Sequence, residues 1–208
     1  MPRGVSFLVY LHDNHSPMEK KKITELNAVA AVMDSIFQQV DERWGVIWLP
    51  AEQALRESGV KLEKSEFIKF NFSLAAIAIN FRSAFDLFPP AQAERLFTTM
   101  QQLLQKQLGE GSGFVAVRNA VIKYIDAYNN GVLKIRNPVL DVAMLLYYKI
   151  GLQNTAQKVV DETYYVPEPE MVDLLTRSLT MFLGKWDILL ERFEVVNPAR
   201  EAAFEEDR

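Results

Sequence analysis

His12 and His15 are the two histidines of this chain, three positions apart in "LHDNHSPMEK" with Asp13 between them. Two imidazoles and a carboxylate are the donor types that hold a divalent metal such as zinc. A zinc site normally takes at least three protein ligands in good geometry, and residues three apart share a face only on a helix. The adjoining residues speak against a helix here. Ser16, Pro17 and Glu19 read as N-cap, N1 and N3 of a helix start, closing a capping box that leaves His15 just outside. Asn14 and Asp13 are then turn residues. Helix punctuation is the better account. His12 and His15 remain the metal candidates only by residue type, and no metal or cofactor is expected.

The same scarcity closes off other chemistry. A di-iron carboxylate bundle requires Glu-x-x-His on two helices, and no histidine follows position 15. The chain has no cysteine, which removes disulfides, thiolate catalysis and iron–sulfur ligation. "GEGSGF", residues 109–114, lacks the Lys-Ser/Thr of a P-loop, the strand that precedes a dinucleotide turn, and the G-x-S-x-G of a hydrolase elbow. It reads as a loop between helices, with Ser112 as an N-cap.

Two polar sets remain as ligand-binding candidates. Arg82 and Asp86 lie one helical turn apart and could hold an acidic ligand through a bidentate guanidinium; the plainer alternative is a surface ion pair worth a few tenths of a kcal/mol. Tyr147, Tyr148 and Lys149 in "LLYYKIG" could line a pocket or serve as an acid/base set. The plainer alternative is aromatics at the core or rim, with their hydroxyls reaching a partner or water.

These residues have to be positioned by helices. Ile23, Leu26, Ala30, Met33, Phe37, Val40 and Trp44 recur at spacings of three and four, predicting a helix over 17–44. Phe67, Phe70, Leu74, Ile77, Phe81, Ala84 and Phe88 trace a second seam, on a helix apolar nearly all round from Ile68 to Ile79 and therefore expected to be central. Phe114, Val117, Val121, Tyr124 and Tyr128 trace a third. Pro90 opens another helix that stops at Gly109, "NNG" at 129–131 ends the next, and Asn137-Pro138 starts one that closes at Gly151. Val5–Leu11 and Val46–Leu49 flank the first helix and could pair as a small parallel ribbon. Val132–Ile135 is a third short apolar run, and period alone does not separate such runs from helix fragments.

The last long helix carries two faces. Val172, Leu175, Leu179, Phe182, Trp186, Leu189 and Phe193 form its seam. Leu174, Met181, Ile188 and Val195 recur every seven residues as a second stripe well over 90° away. Gly184 lies near that stripe and, at mid-helix, implies a packing reason. The stripe is to be covered either by a helix of the same chain or by a second subunit.

The 208 residues are 49% hydrophobic and 24% charged, an ordinary globular balance. A net charge of −4 offers no field for nucleic acid, and no apolar run reaches the roughly 20 residues of a membrane span. The expectation is an all-α, single-domain bundle of about six to eight helices over residues 1–196, with a minor extended ribbon near the N-terminus and a charged tail at 197–208. The expected function is a non-enzymatic cytoplasmic interaction or regulatory protein, homodimeric through the C-terminal helix. The alternative is a binder of an apolar or acidic small molecule between helices, and an enzyme ranks third.

Overall fold

A computed structural model describes residues 20–57, 59–109, 111–152, 157–159 and 164–197. Among them are eight helices: α1 Glu25–Ile47, α2 Leu49–Glu57, α3 Ser65–Leu87, α4 Pro90–Leu108, α5 Ser112–Leu133, α6 Pro138–Lys149, α7 Pro169–Thr180 and α8 Lys185–Arg192. β1 (Lys21–Thr24) pairs in parallel with β4 (Phe193–Val196), and β2 (Gln157–Val159) pairs antiparallel with β3 (Tyr164–Val166). The expected all-α bundle is what forms, with a short parallel ribbon near the N-terminal side.

The central element is α3, which touches α1, α4, α5, α6, α7 and α8. Asn71 through Phe81 are buried without interruption, as an all-round apolar helix requires. Of its buried polar side chains, Asn71 and Ser73 are satisfied locally, donating to carbonyls one turn back. Pro89 and Pro90 stop α3 and begin α4, with Pro90 at N1. Asn137 caps α6, its side chain accepting from the Val139 amide at 3.0 Å. α5 and α6 cross so closely at Gly131 that a Cβ there would lie 2.5 Å from the Pro138 Cα. That close approach explains a glycine inside α5, which runs on past "NNG" to Leu133.

Two carboxylates tie the first elements down. Glu25, at the first turn of α1, takes both Nε (3.1 Å) and Nη2 (2.7 Å) of Arg95 on α4. Glu52 on α2 accepts from Trp48 Nε1 at 3.1 Å, Arg56 Nε at 2.9 Å and the Ser65 hydroxyl at 3.0 Å. Both carboxylates are buried, and a buried carboxylate is tolerable only with such complete pairing.

Several sequence expectations are corrected. The first helix begins at Glu25 rather than at residue 17, with Thr24 as N-cap accepting from the Asn27 amide at 3.3 Å. Residues 21–24 are drawn into a strand by a partner at the other end of the chain, a long-range pairing that local periodicity does not encode. The buried face of α1 is wider than the expected seam: Met33, Val40 and Trp44 of that seam are inside, joined by Ala28, Val29, Val32 and Ile36, whereas Leu26 is exposed. The ribbon does not involve Val46–Leu49, which spans the junction of α1 and α2, and Val132–Ile135 is the end of α5 and its turn. Val5–Leu11 and Ser16 lie outside the described residues, as do positions 198–208.

A further correction concerns the C-terminal helix. It is two helices, broken at Gly184, whose φ of +73° is a left-handed conformation that favours glycine. Seam residues Val172, Leu175, Leu179, Phe182 and Trp186 are all buried as expected, yet on two differently directed segments. Trp186 meets Phe81 and Phe88 edge-on, at ring separations of 5.5 and 5.3 Å.

Ile77, fully buried on α3, measures how tightly this centre is packed. Ile77→Ala is expected to cost about 2–5 kcal/mol in chemical denaturation. A cost below about 1 kcal/mol would mean that the centre of α3 is not close-packed.

Candidate functional site

The two polar sets from the sequence lie at opposite ends of α3. The Glu63 amide donates to the Ile150 carbonyl at 3.3 Å, so the end of α6 sits beside the start of α3. Arg82 lies roughly 17 residues along α3, about 25 Å away at 1.5 Å per residue. One ligand of ordinary size cannot touch both. Arg82 pairs with Asp86 at 3.0 Å and also donates to Asn129 of α5. Asp86 is largely exposed, so the pair joins α3 to α5 at the surface. Beside it, burial raises the pKa of the Tyr128 hydroxyl; Asp86 adds to the rise and Arg82 opposes it.

Tyr147 is fully buried, and its hydroxyl accepts from the Glu168 amide at 3.3 Å. It secures the segment entering α7. Tyr148 packs edge-on against it, 5.5 Å between ring centres, and both Tyr148 and Lys149 are exposed. Tyr147 thus has a structural task, while Tyr148 and Lys149 lie at the surface.

The proposed second stripe is dismantled by the break at Gly184. Leu174 is half-buried on α7, Met181 is 41% exposed at the turn, Ile188 is 54% exposed on α8, and Val195 is buried in β4. These residues no longer share a helix face. His12 and His15 lie outside the described residues. Among the described residues no three His, Cys, Asp or Glu side chains converge as metal ligands, and no helix is long and apolar enough to cross a membrane.

Three surface features stand out instead. The first is the apex joining α5 to α6. Val132 to Asn137 are exposed in succession, with Leu133 at 82% and Ile135 at 96%. Ile135 also has a φ of +53°, a conformation that costs a β-branched residue about 1–2 kcal/mol. The second is an open groove of about 420 Å³ between α6 and α7, floored by Leu140, Met144 and Val172 and bearing Asn137, Asp173 and Thr176.

The third lies where α1 and α3 meet the α7–α8 break. Trp44, Trp48, Phe72 and Phe182 form a chain of rings 5.5–6.0 Å apart, around a void of about 10 Å³ that Arg43 and Ser178 also line. Lys185, only 7% exposed, donates to Gln39 at 2.6 Å and lies 5.8 Å from the Phe182 ring centre. Burial pushes its amine pKa down, and the nearby Arg43 charge pushes it further. Sequence reasoning missed Arg43, Ser178 and Lys185. The break at Gly184 gathers them, and no local spacing announces it.

Lys185 therefore carries a charge that is partly stripped of water without a compensating carboxylate. Lys185→Met keeps the stem's packing and removes that penalty. It is expected to raise the melting temperature at neutral pH in differential scanning calorimetry. A clear drop in melting temperature would show that the ammonium itself holds this region together.

Compared with protein-family models, with curated proteins and with solved structures, the chain matches none.

Proposed function

We propose that the protein is a non-enzymatic helical interaction protein of the cytoplasm, that its working surface is the α5–α6 apex, and that the first occupant of that surface is a second copy of the chain. The observation that carries this reading is the exposure of Leu133 and Ile135. Neither side chain adds to the folded monomer's core, and Ile135 occupies a backbone conformation that glycine or asparagine would adopt at lower cost. An aliphatic tip held in that way gains its stabilisation only when something covers it. A two-fold contact does so with one surface, because the patch on each subunit is its own complement.

The small size of one aromatic-lined void supports the same reading. The void among the aromatic rings holds about one water at its 10 Å³, which leaves no room there for an apolar ligand. The groove between α6 and α7 favours a second reading, small-molecule binding at the surface, since about 420 Å³ falls within the usual range of ligand sites.

Sedimentation equilibrium on the wild type and on the double variant Leu133→Asp, Ile135→Asp tests the first reading. The wild type is expected to be dimeric and the variant monomeric, with the melting curve of the monomer little changed because both side chains are exposed. A wild type that stays monomeric at high micromolar concentration contradicts self-association. A variant that remains dimeric removes the apex from the interface, and dissociation by Ile188→Glu would then assign the contact to α8.

A further inference from the structure

We propose that Arg43, Ser178 and Lys185 form a binding site for the carboxylate of a small organic acid, at the mouth of the aromatic pocket between α1, α3 and the α7–α8 break. The charges come first. Arg56, Lys69, Arg82, Arg95, Arg136 and Arg177 each meet an Asp or Glu. Among the described residues Arg43 and Lys185 meet none, as is also true of exposed cations such as Lys64, Lys106 and Arg118; what sets the two apart is that Lys185 is buried and the exposed Arg43 borders the same aromatic pocket. The Arg43 guanidinium reaches only the Met181 sulfur, at 3.5 Å, a weak acceptor for a charged fork. Lys185 is engaged by the neutral amide of Gln39. Gln39 and Arg43 are four apart on α1, so Arg43 and the amine held by Gln39 lie on one helix face about one turn from each other.

The hydroxyl supplies the second observation. Ser178 is 3% exposed, lines the same pocket as Arg43, and makes no hydrogen bond among the described residues. Thr176 and Thr180 on the same helix instead donate back to carbonyls at 2.7 Å. The hydroxyl is not sealed away from solvent; it borders a void that takes a single oxygen atom. One carboxylate oxygen in that void accepts from Ser178, and the other faces the guanidinium and the ammonium. Trp44, Trp48, Phe72 and Phe182 wall the inner side of the contact, which weakens screening there. The acid's organic body stays outside, against Met181, which is 41% exposed. A phosphate has three further oxygens to satisfy, and the pocket offers one hydroxyl and otherwise apolar walls.

The site is independent of the apex, so its test does not depend on whether the chain dimerises. The full-length protein is titrated with acetate, benzoate, benzamide and inorganic phosphate, read by calorimetry and by tryptophan fluorescence, since two of the chain's three tryptophans line the pocket. Benzoate and acetate are expected to bind saturably, benzamide not at all and phosphate more weakly. Arg43→Gln and Lys185→Gln are each expected to weaken benzoate by about tenfold, the loss of one charge-assisted hydrogen bond. Ser178→Ala weakens it by a smaller factor, and circular dichroism confirms that each variant is folded. Absence of saturable binding by either acid overturns the proposal. So does benzamide binding as well as benzoate, phosphate binding more tightly, or unchanged affinity in folded Arg43→Gln and Lys185→Gln variants.

Discussion

The side chain of Asn80 holds together two segments that a continuous helix would have fused. It is fully buried in the middle of α3, donates to the Phe182 carbonyl at 2.7 Å, and accepts from the Lys185 amide at 3.2 Å. It also donates back to the Ala76 carbonyl at 2.9 Å. Where a helix breaks inside a protein, freed backbone groups must find partners, because an unsatisfied buried group costs about 1–3 kcal/mol. Gly184 permits the turn, and Asn80 makes it affordable at depth. The rest of the C-terminal region follows. Past the break, Trp186 enters the space between Phe81 and Phe88, and α8 leads into β4 beside β1. Lys20 at the start of the described chain then reaches the Leu190 carbonyl at 2.6 Å.

The same break assembles the polar rim of the aromatic pocket. Ser178 precedes it, Met181 sits on its turn and Lys185 follows it, while Arg43 and Gln39 come from α1. A straight helix would space these three C-terminal residues around a cylinder. The turn directs them toward α1 instead. Packing and candidate chemistry therefore share one origin, a buried amide on a neighbouring helix. The exposed apex has a separate one, the close crossing at Gly131 that sets α5 against α6.

Much of the fold was legible because its signals are local. The Pro-Pro stop before α4, the Asn137-Pro138 start of α6, the glycine endings at 109 and 151, and the all-round apolar α3 each follow from residues within one or two turns. What was illegible depends on residues far apart in sequence. Lys21–Thr24 became a strand through Phe193–Val196, and α1 buries Ala28, Val29, Val32 and Ile36 beside its seam because of what packs on it. Gly184 was noticed as costly within a helix, but period alone carried the seam straight through it. The placement of the sequence-level site candidates was illegible for the same reason. Residue type alone does not show that Arg82–Asp86 lies near the end of α3 while Tyr147–Lys149, on α6, lies beside its start. Arg43, Ser178 and Lys185 carry no motif.

If Asn80 holds the break, the Lys185 amide should be among the slowly exchanging amides of the protein, protected by a side chain and not by a helical carbonyl. Native-state hydrogen exchange followed by NMR, on the wild type and on Asn80→Ala, measures this directly. The amide is expected to lose most of its protection in the variant, alongside a global destabilisation of about 2–4 kcal/mol from the unpaired backbone groups and the lost packing. Equal protection of the Lys185 amide in both proteins, with stability changed by less than about 0.5 kcal/mol, would contradict the account.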